Sequence, residues 1–214
     1  MITLALLAIS IGFSVYAMTN QDVKYKYLFY PYYIKRNKEH YRFLSHAFLH
    51  ADYLHLAFNM YALWMFGTVI EEQIYPHIAG TTTELNTKLG SLYYILLYTG
   101  GIYASSIPSY FKNKNDINYT SLGASGAINA LIFSFILFAP TTQLGFFFIP
   151  MPAWVFGILY LGISYYLSKR NTKFESVNRI AHDAHFYGAL FGIVFTGILK
   201  PSLFPEFIFA IIGR

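Results

Sequence analysis

Cysteine is absent from this chain of 214 residues, and charge is scarce, with only 12% of residues Asp, Glu, Lys or Arg. The first absence excludes disulfides, thiolate metal sites and a cysteine nucleophile. The second sets the chain apart from soluble domains, in which about a quarter of residues are charged. What takes their place is apolar: 56% of residues are hydrophobic and 20% aromatic, with a mean hydropathy of +0.42. Such a composition belongs in a bilayer. The formal net charge is +5, but the basic residues fall in short segments between apolar runs. There they suit lipid headgroups as partners, and nucleic acid is not expected.

A transmembrane helix needs about 17–25 predominantly apolar residues. Six runs qualify: Ile2–Met18, Tyr53–Glu71, Gly90–Ile107, Gly123–Ala139, Phe146–Leu167 and Ala181–Leu199. Pro108 is expected to close the third, because proline cannot donate a ladder hydrogen bond. A shorter tail, Leu203–Ile212, follows Pro201 and is interrupted by Pro205. It is too short to span and is expected at the interface. Val15-Tyr16-Ala17 weakly resembles a signal-peptide cleavage site, but no basic residue precedes the apolar core, so the first run is kept as a helix. No internal repeat interrupts the chain. Residues 1–214 therefore read as a single all-α domain, a polytopic membrane bundle of six transmembrane helices.

The longest connection runs from Thr19 to Asp52 and is rich in Tyr and basic residues, including Tyr30-Pro31-Tyr32-Tyr33. That mixture prefers the headgroup region, where an aromatic body is buried and its polar tip stays wet. Long loops in compact folds are usually functional, and this one leads into the run that opens with His55 and Asn59.

Ser125 lies in Gly123-Ala124-Ser125-Gly126 at the start of the fourth run, and His182 and His185 open the sixth. With six spans, the second, fourth and sixth run in the same direction. Their N-terminal ends share one membrane face, so topology gathers a nucleophile, a base and hydrogen-bond donors, the parts that acyl transfer needs. A helix N-terminus adds unpaired N–H groups and a positive dipole end for an oxyanion. His55 and Asn59 project from one helix face at i, i+4. His185, Gly188 and Gly192 form one stripe, and Gly126 and Ala130 a small-x-x-x-small pair, which permits close helix approach. A lone membrane Ser most often bonds its own backbone; the joint placement of these residues argues otherwise.

In their order these residues resemble the rhomboid intramembrane serine proteases, over about residues 42–192. The match comprises Arg42, the spaced His46, His50 and His55, then Asn59, Gly67 and Glu71, Gly123-x-Ser125-Gly126, and His185-x-x-Gly188-x-x-x-Gly192. The resemblance implies a Ser125–His185 catalytic dyad, with His55, Asn59 and the Ser125 backbone N–H as the oxyanion hole. Arg42 and Glu71 would be structural, and the substrates other transmembrane proteins. The fifth helix, opening with Phe146, Phe147, Phe148, Pro152 and Trp154, would be a movable wall for lateral admission. No metal or other cofactor is expected: His46 and His50 have an i, i+4 zinc spacing, but no HExxH is present. Asp183 lies two residues before His185 and should point away from it, which favours a dyad over a triad. One position departs from the pattern. The fourth residue after the nucleophile, commonly an aromatic that stacks on the base, is Asn129, and a hydrogen bond from it would have to serve instead.

Charge and family disagree on orientation. The first, third and fifth connections hold 12 of the 15 Lys and Arg residues, which by the positive-inside rule puts the active face in the cytoplasm. The resemblance puts it on the opposite side, in the inner membrane of a bacterium, and is followed here. Two other readings of the chain are an inactive rhomboid-like protein that binds membrane clients, and a small channel or transporter using the histidines as a polar path.

Overall fold

A computed structural model describes residues 1–80, 84–146, 149–170 and 182–213. The chain is mostly helical. Helix α1 (Ile2–Thr19) leads into a connection folded as three short helices, α2 (Gln21–Tyr27), α3 (Pro31–Asn37) and α4 (Arg42–Ser45), and a 3-10 turn. Helix α5 (Tyr53–Val69) continues through a π-helical turn (Ile70–Ile74) into α6 (Tyr75–Ala79). Then follow α7 (Glu84–Asn113), α8 (Ser125–Phe138), strands β1 (Gln143–Phe146) and β2 (Ile149–Pro152), α9 (Ala153–Arg170), α10 (His182–Leu199) and α11 (Leu203–Ile212).

Helix α8 is the axis of the bundle. Gly126–Ser134, Ile136 and Leu137 are all buried, the pattern of a helix apolar on every side and enclosed by its neighbours. It packs on α5, α7, α9 and α10, while α1 lies against α5. At 14 residues it is about 21 Å long, against about 30 Å of hydrocarbon. It need not span lipid by itself because other helices surround it.

Several expectations change accordingly. Only α1 and the continuous Tyr53–Ala79 rod are long and apolar enough, among the described residues, to cross a bilayer alone. Helices α10 and α11, bent by 111° at their junction, make a third if taken together. By length and composition alone, two or three spans therefore qualify among the described residues; α8 falls below the test because it is short, and α7 carries a polar face with buried Ser105, Ser106 and Ser109. Pro108 does not end the third run: α7 continues through it to Asn113. Proline costs one ladder bond, and packing on α8 and α10 outweighs that loss. The fourth run begins as helix at Ser125, two residues late, because Gly123 takes φ +121°, outside helical geometry. The fifth run opens as a β-hairpin, pairing Gln143 with Pro152 and Phe146 with Ile149, so the fold is not purely α. Pro150 and Pro152 explain it, since neither can donate within a helix. Phe147, Phe148 and Ala181 lie outside the described residues.

Candidate active site

The long connection is tied down from within. Buried Arg42 donates from Nη1 to the carbonyls of Tyr25 (2.8 Å) and Leu28 (2.9 Å), and from Nε to Glu39 (2.5 Å). His46 bonds through Nδ1 to the Arg42 carbonyl (2.9 Å). His50 meets Ser14 Oγ of α1 through Nδ1 (2.9 Å), while that hydroxyl donates to the Phe48 carbonyl (2.9 Å). Burial pushes the His46 imidazole down to about 4 and that of His50 down to about 3, with repulsion from His55 adding to the latter. Both rings are neutral structural posts. The folded connection then docks beside the segment that leads into α8: Phe29 and Ser121 exchange backbone hydrogen bonds of 2.9 and 3.1 Å.

From Ser121 the chain turns into α8. The Gly123 N–H donates to the His46 carbonyl (3.0 Å), and the left-handed φ at Gly123 is one that a side chain would strain. Ser125 follows as the first residue of α8, so its N–H has no partner within the helix. Its Oγ lies 2.8 Å from His185 Nε2 at the N-terminal end of α10. His182 is the first residue of the same helix.

Backbone contact sets that distance. A Cβ on Gly188 would sit 2.1 Å from the Gly126 carbonyl oxygen, and one on Gly192 2.2 Å from that of Ala130. On the other side of α8, a Cβ on Gly126 would meet Ser105 Oγ of α7 at 2.2 Å. No side chain larger than hydrogen fits at these crossings.

The N-terminus of α5 supplies the remaining groups. Asp52 caps it, accepting from the His55 N–H (2.8 Å). The Ala51 N–H donates to His55 Nδ1 (3.3 Å), which leaves the proton of the neutral ring on Nε2. That edge faces the turn before Ser125: a Cβ at Gly123 would lie 3.1 Å from Nε2. Asn59, buried one turn below, gives one amide hydrogen to the His55 carbonyl (2.8 Å). Between α7 and the Ser121–Gly126 segment a recess lined by His46, Ser105, Ser109 and Ser121 leaves ≈ 20 Å³ for water, enough for about one molecule.

Three further residues complete the placement. Asp183 is ion-paired with Lys112 of α7 at 2.6 Å. Glu71, in the π-helical turn, accepts from the backbone N–H groups of Ile2 (2.5 Å) and Thr3 (2.8 Å) and so anchors the start of α1. Asn129 is buried, and its side chain bonds the Tyr160 hydroxyl of α9. Tyr160 escaped the sequence reading, whose only pointer was the missing aromatic at position 129.

A family model for the Rhomboid domain matches residues 37–202. The chain belongs to the rhomboid family. This rhomboid is 34% identical over 121 residues to RHOMBOID-like protein 12, mitochondrial, of Arabidopsis thaliana, covering 56% of the chain and 36% of that relative. It is 26% identical over 155 residues to Rhomboid protein 1, mitochondrial, of Saccharomyces cerevisiae, covering 71% of the chain and 40% of that relative. With Rhomboid protease GlpG of Haemophilus influenzae it shares 26% identity over 187 residues, 85% of the chain and 83% of that protein. The rhomboid thus spans about two fifths or less of its mitochondrial relatives and most of the bacterial one. Mitochondrial names among the relatives leave the expected bacterial inner membrane unsupported, while membership in a membrane-protein family stands.

Proposed function

We propose that the protein is an intramembrane serine endopeptidase acting on transmembrane protein substrates, with six membrane-crossing helices formed by α1, α5, α7, α8, α9 and α10. The observation that carries the reading is the 2.8 Å contact between Ser125 Oγ and His185 Nε2, at the N-terminal ends of adjoining helices. Ser125 gives its proton to Nε2 as Oγ attacks the scissile carbonyl carbon. The resulting oxyanion is held by the Ser125 N–H, by Nε2–H of His55 and by the second amide hydrogen of Asn59. Protonated His185 then passes its proton to the leaving amine, and the acyl-enzyme remains on Ser125. A water from the adjoining recess, deprotonated by His185, attacks the ester and releases the second product. Proteolysis as the reaction is what the likeness to a protein named a rhomboid protease supports, and the substrates proposed for it are transmembrane proteins. They would arrive from the lipid beside α9, whose outer face exposes Ile158, Leu159, Ile163 and Tyr166.

The test is cleavage of a model transmembrane substrate in detergent, beside fluorophosphonate labelling. Ser125→Ala should lower kcat by about 10⁴–10⁶ and abolish labelling without unfolding the protein. Proteolysis that persists in this variant overturns the assignment.

A further inference from the structure

The His185 imidazole meets the Ser125 hydroxyl through Nε2. The structure places a second ring on it. Tyr160 of α9 lies nearly parallel to His185, 26° between planes and 6.3 Å between centroids, within the range of offset aromatic pairs. Tyr160 is itself wedged: Phe156, one turn earlier on α9, stacks on it at 5.7 Å and 28°, and Phe133 of α8 tilts against it at 5.9 Å. Its hydroxyl is bonded to Asn129 of α8 and Ser164 of α9, both buried. Two helices, α8 and α9, therefore fix one phenol ring, and that ring bears on the base.

We infer that Tyr160 is a positioning residue for the proposed reaction, holding the His185 imidazole in the plane from which Nε2 meets Ser125, with Asn129 serving as its anchor. The inference rests on the protease reading above. It has a mechanical corollary. Ser125 and His185 sit on α8 and α10, which meet backbone to backbone, but the orienting ring arrives on α9, which meets them through side chains. Outward displacement of α9 removes the stack from His185 without separating the Ser–His pair. Base alignment is thereby made conditional on α9 being seated against α8 and α10. Stacking also favours the imidazolium formed once the proton has moved, because an aromatic face attracts a cation.

Tyr160→Met keeps bulk in the site with a flexible chain that has no plane to stack, while Tyr160→Phe keeps the ring and loses only the hydroxyl. Tyr160→Met should lower kcat and the fluorophosphonate labelling rate of Ser125 by about 10²-fold, the cost of a small misplacement of a catalytic group. KM should be unchanged. Tyr160→Phe should show a distinctly smaller loss, because the stack stays and only the bonds to Asn129 and Ser164 go. Asn129→Tyr combined with Tyr160→Met returns an aromatic to the neighbourhood from α8 and should recover much of the lost rate, which a merely structural role would not do. Phe156→Met, removing the ring behind Tyr160, should show a smaller loss in the same direction and serves if Tyr160→Met does not fold. Wild-type rates in the folded methionine variants, or equal damage in Tyr160→Phe and Tyr160→Met, overturn the inference. A wild-type protein that neither labels nor cleaves overturns the protease reading instead.

Discussion

His50 is 1% exposed and bonds through Nδ1 to Ser14, while its ring edge meets His55 with centroids 5.1 Å apart. Its folded proton affinity lies far below that of the unfolded chain, near 3 against an ordinary 6.5. The unfolded state therefore binds the proton first as the medium acidifies. The contribution of this ring to stability is complete above about pH 6.5 and is lost progressively as pH falls toward 3. His46 adds a loss of the same sign down to about 4. Thermal midpoints in detergent should drop between pH 6.5 and 5, and His50→Asn should flatten that slope; an unchanged slope would show that other groups set it. At the neighbouring donors, His55→Ala and Asn59→Ala should each slow substrate cleavage by about 10²-fold, the usual cost of removing an oxyanion donor. Wild-type rates in both folded variants would move that role elsewhere. Ser125, His185, His55 and Asn59 were legible as a group because each stands at the start of an apolar run, where chain direction alone brings helix ends together. Tyr160 was not legible. It lies mid-helix in a run of apolar residues, and the contact that distinguishes it is made across α8 and α10.

Among the elements, the length of the apolar runs conveyed the long helices and missed the short ones and what bends or encloses them. The run ending at Ile107 and the proline after it look alike whether α7 stops or continues, since packing on α8 and α10 decides the matter. The hairpin Gln143–Pro152 was hidden because short apolar strands and helices share a composition. The small-residue stripe, by contrast, was visible, and its meaning can be tested by adding single methyl groups. Gly188→Ala would drive a Cβ to 2.1 Å from the Gly126 carbonyl oxygen, whereas nothing lies within 4 Å of the corresponding atom at Gly162 on α9. Gly188→Ala should cost about 1–3 kcal/mol of stability, as overpacking does, and reduce cleavage by spreading Ser125 from His185. Gly162→Ala should be neutral, or stabilising by up to about 1 kcal/mol through better helix propensity. Thermal melts and cleavage rates of the pair, taken side by side, check both; equal tolerance would remove the close-contact argument.

For the whole molecule, orientation is the quantity that sequence leaves contested, because with six spans the basic residues fall in the connections expected on the side of Ser125 and His185. We expect the Thr19–Asp52 connection to face away from the cytoplasm. Asn37 is exposed at the end of α3, and the chain has no cysteine, so Asn37→Cys gives a clean report. Expressed in bacterial cells, it should react with a membrane-impermeant thiol reagent before lysis. Reaction only after lysis would show that the positive-inside rule governs this chain. Whichever way it faces, the junction of α8 and α10 has a bearing on how it meets its solvent. Two carbonyls of one helix rest where the other has only hydrogen, so the pair moves as a single stave. A thinner or thicker bilayer tilts that stave as one piece, and the gap between hydroxyl and imidazole is insulated from the lipid around it. On the proposed mechanism the donors carried by α5 stand outside that stave, so a change of membrane should be felt first by the oxyanion and last by the proton.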